Sequence, residues 1–580
     1  MEGRLKTLNS NFYTEDCYSL PIPLKYVEEP SIEPNLPPWN SSQEIGYVVA
    51  TAKEGVKIGE GSDSIICLVP AKYRKGLKIG TPLIIWDYLE GEMFGSIVSE
   101  ISCPDITRDQ LEIFLYEKFT PTQELIASNK IDFLEQAILI KAKLFCTINQ
   151  FGEKGPVDYS PHPRSSVFYP PIVLVKKIFG LPSLEEGIAY GVLMLGRKPF
   201  FDKETGSFVP YVMRSHLLFT HEMVIGTTGK GKTAKCKNDV KQFADKIAGS
   251  VIILDKHGEY EKGLLEEPIF PKSDFEKKIW KDCGMIPGTV EDLKILRHET
   301  ELPEDPDPQI TYFTINFSDI KPHQLQYYLP NLSPQGYVVL PNLVKMFRTS
   351  RLKQTLATFY HWLKKTKIPE NLADQRTISA ILRRLVLTIE QKLFDGKNLS
   401  SIGPKDLLKP KRVTVLPLHH ILDIDLLSSI AFYIIDMVSR WKLKPQNIEP
   451  PTIILIDEAH NYFPKFTSEE RKDYVNRLVS RARIICREGR KFKLRLQFAT
   501  QRPEELDPGV LGIVNTITFF GCTPQQVTSL KKVIELPFPP SQLVNLPMRN
   551  ALIYARDNTE QPCKIFIPWP IVNHPTRSSS

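Results

Sequence analysis

A disulfide or zinc framework is missing. The nine cysteines contain no CxxC pair, their number is odd and their spacings are irregular, so a reducing compartment is expected. Long apolar runs are missing too. The longest, Leu426 to Val438, carries Asp436 and is too short to cross a bilayer. The opening MEGRLKTLNSNFYTEDC holds no apolar signal core. No stable membrane insertion and a cytoplasmic location are the expectations. Charge of one sign is scarce: a formal net charge of +7 over 580 residues permits nucleic-acid binding without arguing for it. There is no internal repeat and no long low-complexity tract, and apolar content is that of an ordinary globular protein. A chain of 580 residues exceeds what one hydrophobic core serves, so two or three domains are expected.

What is present changes along the chain. Residues 1–44 are Pro-rich (LPIPLKYVEEPSIEPNLPPW) and read as an extended arm. From Ile45 come short β-prone runs, IGYVVATA, SIICLVP, TPLIIWDYL, GEMFGSIVSEI and EQAILIKAKLFCTI, the last after a helical stretch near 109–130. Such spacing predicts a small β-barrel or sandwich over 45–150. Residues 151–187 read as a Pro-punctuated connector. Over 188–575 the apolar runs HEMVIG, SVIILD, RVTVLPL, TIILIDE, LRLQFAT and TITFFG alternate with helical patterns, as in a buried, mostly parallel α/β sheet covered by helices. Between about 261 and 410 lies an insertion of mostly helical pattern, including SRLKQTLATFYHWLKKTK and RTISAILRRLVLTIEQKLF.

The segment Gly226-Thr227-Thr228-Gly229-Lys230-Gly231-Lys232-Thr233 fits the phosphate-loop pattern G-x-x-x-x-G-K-[ST]. EMVI before it reads as a strand. AKCKNDVKQFADKIAG after it, from Ala234, reads as a helix ending at Gly249. Glycines let backbone N–H groups curl around phosphates, and the helix N-terminus favours an anion. Lys232 would reach the β- and γ-phosphates of ATP and Thr233 would ligate Mg²⁺. A surface turn matching by chance is the bland alternative. The guanine-recognition look-alike Asn129–Asp132 precedes the loop rather than following it, and is read as chance.

PTIILIDEAHNYF ends a strongly apolar strand on Asp457 and Glu458. Asp457 can hold Mg²⁺ there and Glu458 can polarise the attacking water; a structural pair capping the next helix is the alternative. DKHGEY puts Asp255, His257 and Glu259 after another strand, where open α/β sheets carry their ligands; a polar loop around a Gly turn is equally compatible. From Arg471 to Arg495 the chain is densely basic, with Arg483, Arg487 and Arg490 at i, i+4 and i+7. A solvated helix explains that run, and so does a subunit interface that delivers an arginine to a neighbour's nucleotide. Gln501, in FATQRPEELDPGV, sits at a strand tip where it can orient water or sense the γ-phosphate.

GTTGKGKT, DKHGEY, LIDEAHNYF, CREGRKFK and TQRPEELDPGVLG stand in the order of the HerA–FtsK superfamily of ring motors, and over roughly 45–570 the chain most resembles HerA-like proteins. The barrel resembles the HAS barrel that precedes their motor. The resemblance implies a RecA-like P-loop ATPase that forms a hexameric ring, holds ATP and Mg²⁺ between subunits, moves double-stranded DNA without sequence preference, and works with a NurA-like nuclease in end resection or repair. By position it assigns Lys232 and Thr233 to the phosphate loop, Asp457 and Glu458 to the strand-end acids and Gln501 to the sensor. Arg490 falls on the trans-acting arginine, with Arg487 a second candidate, and Asp255, His257 and Glu259 fall near the site. Two departures stand out. Lys230 occupies a position usually held by a small residue, and Thr220-His221 stands where Arg-His is frequent, with Arg214 nearby. A conjugation-type DNA transfer motor at a membrane channel, or an ATP-dependent DNA-binding ring scaffold without translocation, would share the same core.

Overall fold

The computed structural model describes residues 44–49, 64–70, 73, 77–102, 137–149, 152–162, 165–202, 205–266, 268, 273–329, 332–397, 399–465, 469–536, 538–544, 546–555 and 557–574. The Pro-rich arm apart from Glu44, the helical stretch near 109–130 and the Asn129–Asp132 look-alike lie outside them. The chain divides into two compact units: 1–183 with 192–211 and 557–564, and 184–191 with 212–556 and 565–580.

The first unit holds a closed barrel. Its strands are β1 (Glu44–Val49), β2 (Ser64–Pro70), β3 (Pro82–Asp87), β4 (Glu92–Ser102), β5 (Ala137–Ile148) and β6 (Ser166–Phe168). They run β2-β1-β6-β3-β4-β5, every pairing is antiparallel, and β5 returns to β2. Closure removes the exposed strand edges of an open sheet. Inward side chains such as Val48, Ile65, Leu83, Phe94, Ile140 and Val167 fill the interior. β6 comes from the stretch that reads as a connector. The prolines there (Pro161, Pro163, Pro170 and Pro171) flank SVF without interrupting it, so the three residues keep their N–H groups for the ladder.

The second unit is built on a sheet that includes β7 (Glu222–Ile225), β8 (Ser250–Asp255), β9 (Asp292–His298), β10 (Ile310–Phe313), β11 (Arg412–Pro417), β12 (Thr452–Ile456), β13 (Leu494–Thr500), β14 (Thr516–Phe519) and β15 (Asn550–Ala555). They lie in the order β15-β14-β7-β13-β12-β8-β11-β9-β10. Pairing is parallel from β14 to β10, and β15 runs antiparallel to β14. β8, β12 and β13 are buried along their whole length, which is why they read as unbroken apolar runs rather than alternating ones.

Helix α1 (Lys232–Ile247) follows β7 after the loop 226–231. The insertion supplies α2 (Pro334–Arg348), α3 (Leu356–Lys365) and α4 (Gln375–Glu390), whose first turns are closed by Ser333, Thr355 and Asp374 side chains accepting backbone N–H groups. It also supplies β9 and β10, which extend the sheet; their half-polar faces hide them from a search for apolar runs. α5 (Ile424–Lys442) is the longest apolar stretch seen in the sequence, and it is a buried core helix. Its Asp436 is held by Arg440 at 2.6 Å and Arg481 at 2.5 Å. Among the described residues no helix is long and apolar enough to cross a membrane. α6 (Glu469–Glu488) packs between α5 and β13, and α7 (Pro524–Lys531) follows β14.

Candidate active site

The parallel register aligns the C-terminal ends of the central strands. Ile225 of β7 pairs with Thr500 of β13, and Ile456 of β12 pairs with Phe498. The phosphate loop, the Asp457–Glu458 pair, the Asp255 loop and Gln501 therefore leave the sheet along one edge, the crevice side of an open α/β fold.

The loop needs its glycines for space. A Cβ on Gly226 would lie 2.5 Å from Cβ of Phe520, and Gly231 has φ +112° at the start of α1. Thr227 is tied to the β14 side of the sheet, its N–H and its hydroxyl both donating to the Gly521 carbonyl at 2.9 and 3.1 Å. Thr228 and Gly229 are exposed at the tip, and Ala234 is buried under it. Lys230 reaches away from the cradle. Its ammonium donates to the Leu546 carbonyl at 3.2 Å and its own carbonyl accepts from Arg549 N–H at 2.8 Å. The long side chain at a usually small position thus anchors the loop to the segment before β15.

Lys232 is buried, with Nζ donating to the Thr227 carbonyl at 3.2 Å. Burial lowers its pKa, and Glu458 and Asp457 oppose that shift. Asp457 is held well above the usual carboxylate range by burial and by the charges of Glu458 and Asp255. A buried carboxylate destabilised in this way fits a cation ligand, since a bound metal would relieve its charge. With Thr233 at the start of α1, it would hold Mg²⁺ beside a nucleotide whose phosphates rest on the loop amides. The bound ion would supply charge neutralisation to the transferred phosphoryl group.

Glu458 adopts a left-handed backbone at φ +49°. That conformation is strained for a residue with a Cβ, and such strain gathers at functional sites. Its carboxylate lies 3.3 Å from Nδ1 of His460 and 3.8 Å from Nε2 of His257, and it accepts the Gln501 N–H at 3.0 Å. His460 also meets the Thr500 hydroxyl at 3.1 Å. Asp255 is spent differently. It accepts from the N–H groups of His257, Gly258, Glu259 and Tyr260 at 2.8 to 3.3 Å, so it shapes its own loop while His257 and Glu259 stay exposed. The Gln501 side chain accepts from the Thr228 hydroxyl, joining the tip of the phosphate loop to β13.

The arginines are elsewhere. Arg487 is in the last turn of α6, whereas Arg490 lies beyond the helix, in the short turn Gly489–Phe492 that leads into β13. The expected single helical face therefore holds for Arg483 and Arg487 only. Arg487 and Arg490 are exposed and form no ion pair with another described residue. Arg214 is half-buried. His221 is buried, its Nδ1 accepts the Leu496 N–H at 3.0 Å, and burial lowers its pKa to about 3; it serves the sheet as a neutral acceptor.

Sequence reasoning missed His460 and a buried charge cluster further along α1, at the N-terminal end of β7. Glu222 accepts from Lys235 at 2.8 Å, Thr518 at 2.7 Å, Gln497 at 3.0 Å and from Arg495. Asp239 accepts from Lys235 and from Gln497, the latter at 2.7 Å, while Arg495 also donates to Tyr190 Oη at 3.0 Å. The pattern KCKNDVKQ looks like a solvated face; only the tertiary fold shows that both of its faces are covered.

The phosphate loop and the Asp255 loop fall within the match to a family model. The family description "Helicase HerA, central domain" fits residues 203–438. The chain is similar to HerA-like ATPases of the HerA–FtsK superfamily. This HerA-like chain is 23% identical over 492 residues to a probable helicase of Methanocaldococcus jannaschii, covering 81% of this chain and 85% of that protein. It is 24% identical over 479 residues to the DNA double-strand break repair helicase HerA of Sulfolobus acidocaldarius, covering 80% and 81%. Among solved structures it is similar to VirB4 of Thermoanaerobacter pseudethanolicus, with a TM-score of 0.43 at 12% identity over 67% of this chain and 97% of that one. The bacterial conjugative coupling protein TrwB gives a TM-score of 0.41 at 13% identity over 63% and 90%.

Proposed function

We propose that this HerA-like protein is an ATP-driven translocase and helicase of double-stranded DNA that works as a hexameric ring with nucleotide held between neighbours. The observation that carries the reading is the placement of Arg490 and Gln501 at opposite ends of β13. A seven-residue strand spans roughly 20 Å at about 3.3 Å per residue. Arg490 therefore stands at the far edge of the sheet from its own phosphate loop, where only a second copy can bring it to a nucleotide. In a head-to-tail ring the far edge of one sheet meets the crevice edge of the next.

Each group then has a task. Lys232 and the loop amides bind the phosphates, and Thr233 and Asp457 hold Mg²⁺. Glu458 takes the proton of the attacking water, and Gln501 orients that water against the γ-phosphate. His257 and Glu259 line the mouth, and Asp255 holds their loop. Arg490 of a neighbour, or Arg487 beside it, stabilises the charge that develops on the phosphoryl group. DNA is gripped through its phosphates without base readout. Affinity then falls steeply between low and moderate salt, and duplex DNA raises the ATPase rate. The similarity to the DNA double-strand break repair helicase of Sulfolobus acidocaldarius supports work at broken ends, with a NurA-like nuclease as partner.

Mixing subunits tests the ring. Lys232→Ala and Arg490→Ala proteins are each expected to be inactive alone. Mixed rings should recover ATPase, because some interfaces pair an intact loop with an intact arginine. Absence of recovery despite demonstrated subunit exchange moves the role from Arg490 to Arg487. A strictly monomeric mass with full ATPase at micromolar protein and Mg²⁺-ATP analogue rules the interface site out.

A further inference from the structure

Gln501 is held at its N–H, its carbonyl and its side-chain oxygen. Its N–H donates to Glu458 Oε2 at 3.0 Å and its side chain accepts from Thr228. Its carbonyl accepts from Nε2 of Gln526 at 2.6 Å. Gln526 lies in the first turn of α7, buried to 6% exposure. There its Oε1 accepts the Thr523 N–H at 2.9 Å while its own N–H donates to the Thr523 hydroxyl at 3.2 Å, closing a capping box. The orientation of the amide is settled by its partners, since the Thr523 N–H needs an acceptor and the Gln501 carbonyl needs a donor. Two residues before Thr523, the Gly521 carbonyl receives both Thr227 bonds of the phosphate loop. The junction between β14 and α7 thus grips the loop with one hand and Gln501 with the other.

We propose that Gln526 is a positioning residue for ATP hydrolysis: it fixes the main chain of Gln501, so that the Gln501 side chain and the Glu458 carboxylate meet the nucleotide in register. This rests on the reading that Gln501 acts at the γ-phosphate. A capping box by itself needs only an acceptor at this position, and Glu serves as well as Gln. Reaching the Gln501 carbonyl requires the amide N–H in addition. A misplacement of about 1 Å at a reacting centre can cost on the order of 100-fold in rate.

The two roles of Gln526 separate by substitution. Gln526→Glu keeps the cap and removes the donor. The expected result is a kcat lower by about 10- to 100-fold, a KM for ATP within about twofold of wild type, since the phosphate contacts are untouched, and a Tm close to wild type. Thr523→Ala removes the cap and keeps the donor, so it should lower Tm and leave kcat near wild type. Equal losses of kcat in the two variants, or a wild-type kcat in Gln526→Glu, overturn the proposal. If Gln526→Glu does not fold, Gln526→Ala is compared with Thr523→Ala; a kcat at least about tenfold lower in the former supports the brace, and equality overturns it. Gln501→Ala runs alongside. A collapsed kcat there with an unaffected Gln526→Glu defeats the brace alone, whereas normal turnover in Gln501→Ala defeats the site reading and the brace together.

Discussion

The two ends of β7, a strand of four residues, carry charge in opposite ways. At the N-terminal end, Glu222 and Asp239 face Lys235 and Arg495, cations of the chain itself, although burial still raises the Asp239 pKa. Burial alone would raise the Glu222 pKa; Lys235 and Arg495 pull it down instead. At the C-terminal end, Asp457 and Glu458 crowd around Lys232, and Asp457 is pushed well above its ordinary range. Burial is similar at both ends, with Glu222 at 0%, Glu458 at 2% and Asp457 at 5% exposure. What differs is whether the partners come from the chain itself. A cluster that satisfies itself is a structural device, because breaking a buried pair leaves an uncompensated charge. On the proposed reading, a metal, a nucleotide and a neighbour's arginine would supply the positive charge and the ligand that the second cluster lacks.

Substitutions can break or sharpen that contrast. The largest effect is expected at Arg490, which would complete the open cluster from outside. Arg490→Ala should lower kcat by about 10³- to 10⁵-fold with unchanged thermal stability, and Arg490→Lys should not restore it, lacking the planar fork; steady-state ATPase assays with duplex DNA decide. Glu458→Gln comes next, with kcat down by about 10²- to 10⁴-fold and nucleotide affinity largely kept. Near-normal turnover in that variant would place Glu458 in the structural class. Glu222→Gln should do the reverse, costing about 3–5 kcal/mol in denaturant unfolding while the folded fraction hydrolyses ATP at close to the wild-type rate.

The smallest effect is a pH dependence at a polar group of neither kind. His298 is fully buried, with Nε2 against the Leu393 carbonyl at 3.2 Å, and burial lowers its pKa to about 4. Below its ordinary value near 6.5 the unfolded chain takes up a proton that the folded chain refuses, so stability falls as pH drops from about 6.5 to 4. At pH 5 that loss is about 2 kcal/mol. His298→Gln keeps a donor for Leu393, so unfolding midpoints of that variant should fall less steeply over the same range.

Much of this was legible in the chain. The six apolar runs of the motor unit are strands because strands buried on both faces carry no polar alternation to hide them. The phosphate loop, Asp457 and Glu458 were readable because each sits directly after such a run. β6 stayed hidden among prolines, and β9 and β10 among charged residues, because periodicity is faint in three- or four-residue strands and in strands with one half-polar face. His460, Gln526 and the Glu222 cluster were illegible for another reason. Gln526 meets Gln501 across 25 residues, Arg495 meets Glu222 across 273, and His460 meets Glu458 around a sharp turn, and no local pattern announces such a meeting. Arg490 was placed on a helical face by its spacing, but the helix ends two residues earlier.

β13 carries one more implication. It is bonded on both sides, to β7 and to β12, which makes it a stiff rod, with Gln501 at one tip and Arg490 near the other. On the ring reading, each subunit would feel the state of its own nucleotide at one tip and present the other tip to the next subunit's nucleotide. Hydrolysis at one interface would then be relayed to its neighbour along a single strand, and the order of firing around the ring would follow the direction in which that strand points.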